Sequence, residues 1–341
     1  WLEPKSSLPI KVYPQSDESS ATYFATLENA FAYANTLTST SSNRIIVEVL
    51  KDCTISSAIS LNGTDDQYIS LISKTDVTIT VTADKAGIAL SSKSSAKTNL
   101  SISSTASLTF TQDSSITTLS NSILSLTTNG TLDLGTGVVF DGFKTSRGLI
   151  SIGGLAVGPG VLNINGATFQ NITCDRYVVM MSRLCSVNIS SGLFTKITAP
   201  EGIIAPYHAT QEYVNITGGT FDSNTGSVIS GKGIITIAGG TFTNNTSSTS
   251  ADAVGSIVEL TGGSLTINGG KFNNNPLTGN GMIHATAGTI VVNDGDFTKN
   301  ENSVFVVASA TSGEKSDATL TINGGTFGYI EADATGITML L

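Results

Sequence analysis

"LTINGGKFNNN", residues 265–275, is answered further along the chain by "LTINGGTFGYI", residues 320–330. A duplicated catalytic loop, a duplicated ligand site and a structural rung would each leave such an echo, and they differ in the number of copies. Aligned on its Phe, the phrase occurs seven times: "LNINGATFQNI" (162–172), "VNISSGLFTKI" (187–197), "VNITGGTFDSN" (214–224), "ITIAGGTFTNN" (235–245), the two already quoted, and "IVVNDGDFTKN" (290–300). The anchors Phe169, Phe194, Phe221, Phe242, Phe272, Phe297 and Phe327 stand 21 to 30 positions apart, about 26 on average. A fixed phrase at that period marks a solenoid; an active site is not copied seven times. A looser relative, "LDLGTGVVFDG" (132–142), carries its Phe one place later.

The kind of solenoid follows from the alternation inside each copy. "LTI", "VNI" and "ITI" read apolar, polar, apolar, the period of a strand with one buried face. A Gly-rich corner follows, then an inward Phe. The spacers hold a second apolar run, as in "GSVIS" (226–230), "SIVEL" (256–260), "GMIHA" (281–285) and "SVFVV" (303–307). The copies are Gly-rich and β-branched, without the 3.6-residue period of helical repeats. Each copy therefore reads as one turn of a parallel β-helix, two or three short strands stacked about 4.8 Å from their neighbours. The corner glycines Gly219, Gly240, Gly270, Gly295 and Gly325 suit a left-handed backbone or close approach between coils. Three places after the Phe, Asn224, Asn245, Asn275 and Asn300 fit a side-chain amide ladder, with Ile172, Ile197 and Ile330 at that slot in the other copies.

Upstream the period blurs while the composition persists, so residues 44–130 read as irregular coils and 131–330 as regular ones. The whole is an all-β, right-handed parallel β-helix of about eleven coils, a rod about 50–60 Å long. Residues 1–43 form a separate segment: "SATYFATLENAFAYANTL" places Phe24, Leu27, Phe31 and Ala34 on a helical stripe, with Ser20 or Thr26 as N-cap. A short amphipathic helix there closes the core, as terminal solenoid repeats must. The chain begins at Trp1 and reads as a processed or excised piece. At the other end, 331–341 reads as an uncapped apolar terminus, with Ile337, Met339, Leu340 and Leu341 as a candidate assembly end.

The "ATLENAFAYA" opening and the "GGTF-x-x-N" coils resemble the pectate-lyase-like right-handed parallel β-helix superfamily, and within it the non-enzymatic adhesin-like surface proteins of bacteria and archaea. The F-x-x-N form also resembles the repeats of chlamydial polymorphic outer-membrane proteins, without their Gly-Gly-Ala companion motif. The resemblance implies the fold and an extracellular, surface-exposed role.

Composition narrows the function. Among 341 residues only 13% are charged, against roughly 25% in ordinary globular domains. A net charge of −9 argues against nucleic acid, which demands Lys and Arg clusters. No apolar run reaches the 18 or so residues of a membrane span. Hydroxyl-bearing residues fill about a quarter of the chain and keep it soluble. Cys53, Cys174 and Cys185 lack metal-type spacing; Cys174 and Cys185 are either a disulfide or buried thiols.

A polysaccharide lyase or hydrolase is the rival class, and needs carboxylates facing each other across a sugar. Asp65 and Asp66 fall in a turn sequence, Asp294 and Asp296 in the corner of an ordinary repeat, and Asp175 beside Arg176. His208 and His284 lie about three coils apart, too far to share a metal. No cofactor is implied. An ice-binding solenoid would need an unbroken Thr array; Thr168, Thr220, Thr241 and Thr326 share a slot that Leu193, Lys271 and Asp296 interrupt. Sequons at Asn62, Asn99, Asn129, Asn171, Asn188, Asn215, Asn244 and Asn245 are candidate N-glycosylation sites. The expectation is a secreted or cell-surface rod without catalytic activity, an adhesin stalk or filament subunit. Its partners would be copies of itself, end to end or side by side, or cell-surface and host glycans.

Overall fold

The computed structural model describes residues 7–91, 96–127, 129–154, 158–248, 255–277, 281–300, 303–307 and 317–328. They form a parallel β-helix with three faces. The leading face stacks Ile45–Val49, Gln67–Ser73, Thr98–Ser104 and Gly130–Leu134, then continues through the first halves of Gly160–Gln170 and Cys185–Thr195 and onward to Asp317–Ile322. The Phe face runs from Cys53–Ile55 through Val77–Val81 and Leu108–Gln112 to Thr326–Phe327. The trailing face runs from Ala58–Leu61 to Phe305–Val307. The solenoid makes about nine turns, slightly fewer than the eleven read from the spacing.

Alternation decides which residues go inside. In Val77–Val81 the three apolar residues are buried and both Thr lie half-buried outside. Parallel registry then repeats each choice in the next coil, so inward residues form columns: Ile79 over Phe110 over Phe140 on one face, Leu100 over Leu132 over Leu162 on another. Each such side chain contributes roughly 1.5–3 kcal/mol by leaving water. The coils before residue 130 keep unshifted registers, whereas several later pairs contain register shifts at their corners. Backbone regularity and sequence regularity thus run in opposite directions along the chain.

The N-terminal end is closed by helix α1, Leu27–Ala34, whose N-cap Thr26 accepts a hydrogen bond from the backbone N–H of Asn29 at 3.3 Å. Eight residues are too few to be helical alone; Leu27, Ala30, Phe31 and Ala34, all buried against the first coil, hold the helix in place. Phe24 lies outside α1, on the preceding strand, with its ring 5.2 Å from that of Tyr33. Strands β1 (Ile10–Pro14) and β2 (Thr22–Phe24) add an antiparallel edge to Ile45–Val49, which the helical reading of this segment missed. The edge is fastened by the buried carboxylate of Glu48. It accepts from Tyr13 Oη at 2.6 Å and pairs with Lys11 at 3.2 Å and Lys74 at 3.3 Å. The candidate assembly residues Ile337, Met339, Leu340 and Leu341 lie outside the described residues, as does Ile330.

Candidate functional site

The seven repeat phenylalanines stack into one interior column, and Phe110 and Phe140 extend it to nine rings. Successive centroids lie 4.6 to 5.1 Å apart, with planes within 18° of parallel. Strand spacing dictates that distance, and ring offset makes it favourable. Before each Phe, Gly219, Gly240, Gly270, Gly295 and Gly325 have φ between +94° and +147°, so the corner leading into the strand requires a residue without Cβ.

Beyond the Phe the corner is built differently. The residue two places on is left-handed in every coil from Phe140 to Phe297: Gly142, Asn171, Lys196, Ser223, Asn244, Asn274 and Lys299 have φ between +53° and +74°. The next residue turns back into the core. There Phe143, Ile172 and Ile197 are apolar, whereas Asn224, Asn245 and Asn275 are buried amides and Asn300 a half-buried one. Each Asn reaches one coil back. Asn245 Oδ1 accepts from Asn224 N at 3.2 Å and its Nδ2 donates to Phe221 O at 2.9 Å; Asn224, Asn275 and Asn300 repeat the pattern. The amides satisfy backbone groups that the sharp turn would otherwise leave buried and unpaired.

The other residues singled out in the sequence are dispersed. Cys174 and Cys185 are free, buried thiols, each pushed up to about 12 by burial, as is Cys53. Of the two readings the sequence left open for Cys174 and Cys185, the structure has the buried thiols. Of the sequon asparagines, Asn245 is fully buried in the inner ladder and Asn99 is buried with its Nδ2 donating to Gln67 O. Asn188 and Asn215 point outward into a second ladder that runs from Asp133 through Asn163, with amide contacts of 2.7 to 2.9 Å. Asn62 and Asn129 are half-buried, and Asn171 and Asn244 are exposed at left-handed corners, their Nδ2 groups donating to Asp141 and Asp222.

Asp294 and Asp296 border a trough of about 540 Å³ along the glycine corners, with Lys271, Thr241 and Thr326. Both carboxylates are engaged. Asp294 accepts from Gly295 N, and Asp296 accepts from Asn273 Nδ2, Thr298 N and Thr298 Oγ1, which hold it below the usual carboxylate range. Asp66 accepts from Lys97 N. Arg176 pairs with Glu201 rather than with its neighbour Asp175. His284 is buried on the trailing face beside Glu259; burial pushes the imidazole down and the carboxyl up.

One corner departs from the repeat. Where the trailing face turns into the leading face, later coils use glycine: Gly231, Gly263 and Gly288 all have positive φ. Two coils put other residues there. Arg183 and Leu184 hold φ of +38° and +50° side by side, and one coil later residues 206–211 form a loop. Glu212, with no exposed surface, joins the two: its carboxylate accepts from the backbone N–H of Arg183 at 2.8 Å and from that of Tyr207. Tyr207, 45% exposed, meets the buried Tyr177 edge to face at 6.1 Å. Arg176 stacks on Tyr177 at 5.0 Å, donates to both oxygens of Glu201 at 2.8 and 2.9 Å, and approaches Tyr207 Oη at 3.4 Å. Tyr213, 44% exposed, stands on the adjoining leading face. Sequence reasoning passed over this cluster because nothing in it repeats; the available signal was the absence of glycine at two consecutive corners.

No protein-family model matches the chain, and neither a curated protein nor a solved structure shows significant similarity to it.

Proposed function

We propose that the chain is a non-catalytic extracellular rod, of the adhesin-like kind found among pectate-lyase-like β-helices, that serves as a stalk or as a subunit of a filament. The observation that carries this reading is the unbroken column of nine Phe rings. It couples each coil from Phe110 to Phe327 to the next and turns those local repeats into one stiff body. Among the acids that a polysaccharide-cleaving reading would recruit, Asp66, Asp294 and Asp296 accept from backbone N–H groups, and hydroxyl and amide rows keep the outer faces soluble at low charge.

Negative-stain electron microscopy with small-angle scattering tests the reading. Rods about 50 Å long per molecule, or multiples joined end to end, are expected. A compact globule, or release of reducing or unsaturated sugars from polygalacturonate, would overturn it.

A further inference from the structure

We infer that the Tyr207 corner is a carbohydrate-recognition site, in which the exposed Tyr207 ring stacks on the apolar face of a pyranose while the Arg176–Glu201 pair engages its hydroxyls. The inference deepens the stalk reading and rests on it. Three independent features meet at this corner. The backbone is strained at Arg183 and Leu184, where equivalent corners use glycine, and strain of that kind persists only where the surroundings enforce it. A carboxylate with no exposed surface, Glu212, is committed to holding the loop, one of its hydrogen bonds falling on Tyr207 itself. The chain here also exposes a large aromatic ring on a rod whose outer faces are otherwise mostly hydroxyl, amide and small side chains.

The chemistry favours a sugar over a polypeptide. A stable protein partner needs about 800 Å² per side with an apolar centre, whereas the exposed large apolar side chains here are three, Leu184, Tyr207 and Tyr213, around a charged pair. A pyranose offers what this corner complements: a patch of C–H groups for the ring, and adjacent hydroxyls that donate to carboxylate oxygens and accept from guanidinium N–H groups. The single Nε–H of Arg176 is shared between both oxygens of Glu201 while Arg176 Nη2 donates to Tyr207 Oη, so the charged pair already stands beside the ring before any ligand arrives.

The test is saturation-transfer NMR on the full chain with four hexasaccharide probes: β-1,4-linked glucose, N-acetylglucosamine and mannose, and α-1,4-linked galacturonate. At least one probe is expected to bind, and Tyr207→Ala to weaken it at least tenfold without lowering Tm. Tyr207→Phe should bind within about threefold of wild type, and Tyr213→Ala, on the other side of the loop, should bind unchanged. Binding by no probe, undiminished binding by Y207A, or a response to peptides alone would overturn the inference. Rods in the microscope with no sugar bound would sink this site and leave the stalk reading standing; a globule would sink the latter whatever the sugars do.

Discussion

The turn between the trailing and leading faces is made in two different ways. At Gly231–Gly233 a Cβ on Gly231 would lie 2.0 Å from Pro206 O, and the backbone sits at φ +141°, so only glycine fits. Two coils earlier, Arg183 and Leu184 take up left-handed backbone without glycine, and a buried Glu212 secures the turn that follows. The coils that begin at these two corners have the same interior: Phe194 in one and Phe242 in the other, stacked on their neighbours at 4.6 to 4.9 Å. The comparison teaches that in this solenoid the inside carries the fold, while a corner is free to carry something else.

The largest expected effect tests the inside. Phe194→Ala and Phe242→Ala should each cost about 3–5 kcal/mol by denaturant unfolding. A difference between them well above about 1.5 kcal/mol would show that the aromatic corner is part of the folding core, and would break the comparison. Next, Gly231→Ala should cost about 2–4 kcal/mol, because neither the carbonyl of Pro206 nor the dihedral can yield cheaply. Asn245→Ala should cost about 2–3 kcal/mol by orphaning the N–H of Asn224 and the carbonyl of Phe221. In the opposite direction, Leu184→Gly should stabilise the chain by about 0.5–1 kcal/mol, since strain is relieved and no buried side chain is lost. A loss of stability there would mean that Leu184 is held for packing.

The smallest effect is a pH dependence. Burial lowers the His284 imidazole below its ordinary 6.5, so the unfolded chain takes up that proton first and stability falls as pH drops through 6.5 toward the folded value. Burial raises Glu259 above 4.5, against the Ser230 hydrogen bond, so the folded chain takes up that proton first and its penalty is relieved as pH falls toward 4.5. His284→Gln should therefore flatten the decline in Tm between about pH 7 and about pH 5.5. An unchanged slope would assign the decline to other groups.

The stacked interior was legible because Phe recurs in a fixed slot beside Gly-Gly, so identity and spacing pointed the same way. Phe110 stayed hidden: the strand "LTFTQ" has the alternation without the corner glycines. The left-handed position two after Phe was hidden for another reason, since Asn, Lys and Ser occupy it and no single letter repeats. Strands β1 and β2 escaped because pairing with Ile45–Val49 is a property of the folded edge. The Tyr207 corner was the least legible, assembled from residues 25 to 31 positions apart with no internal echo.

An experimental density map of the chain tests the central claim most directly. The account requires the rings of Phe110, Phe140, Phe169, Phe194, Phe221, Phe242, Phe272, Phe297 and Phe327 to lie inside one continuous column, centroids 4.6 to 5.1 Å apart. Rings divided among separate clusters, or facing solvent on the outer wall, would contradict it.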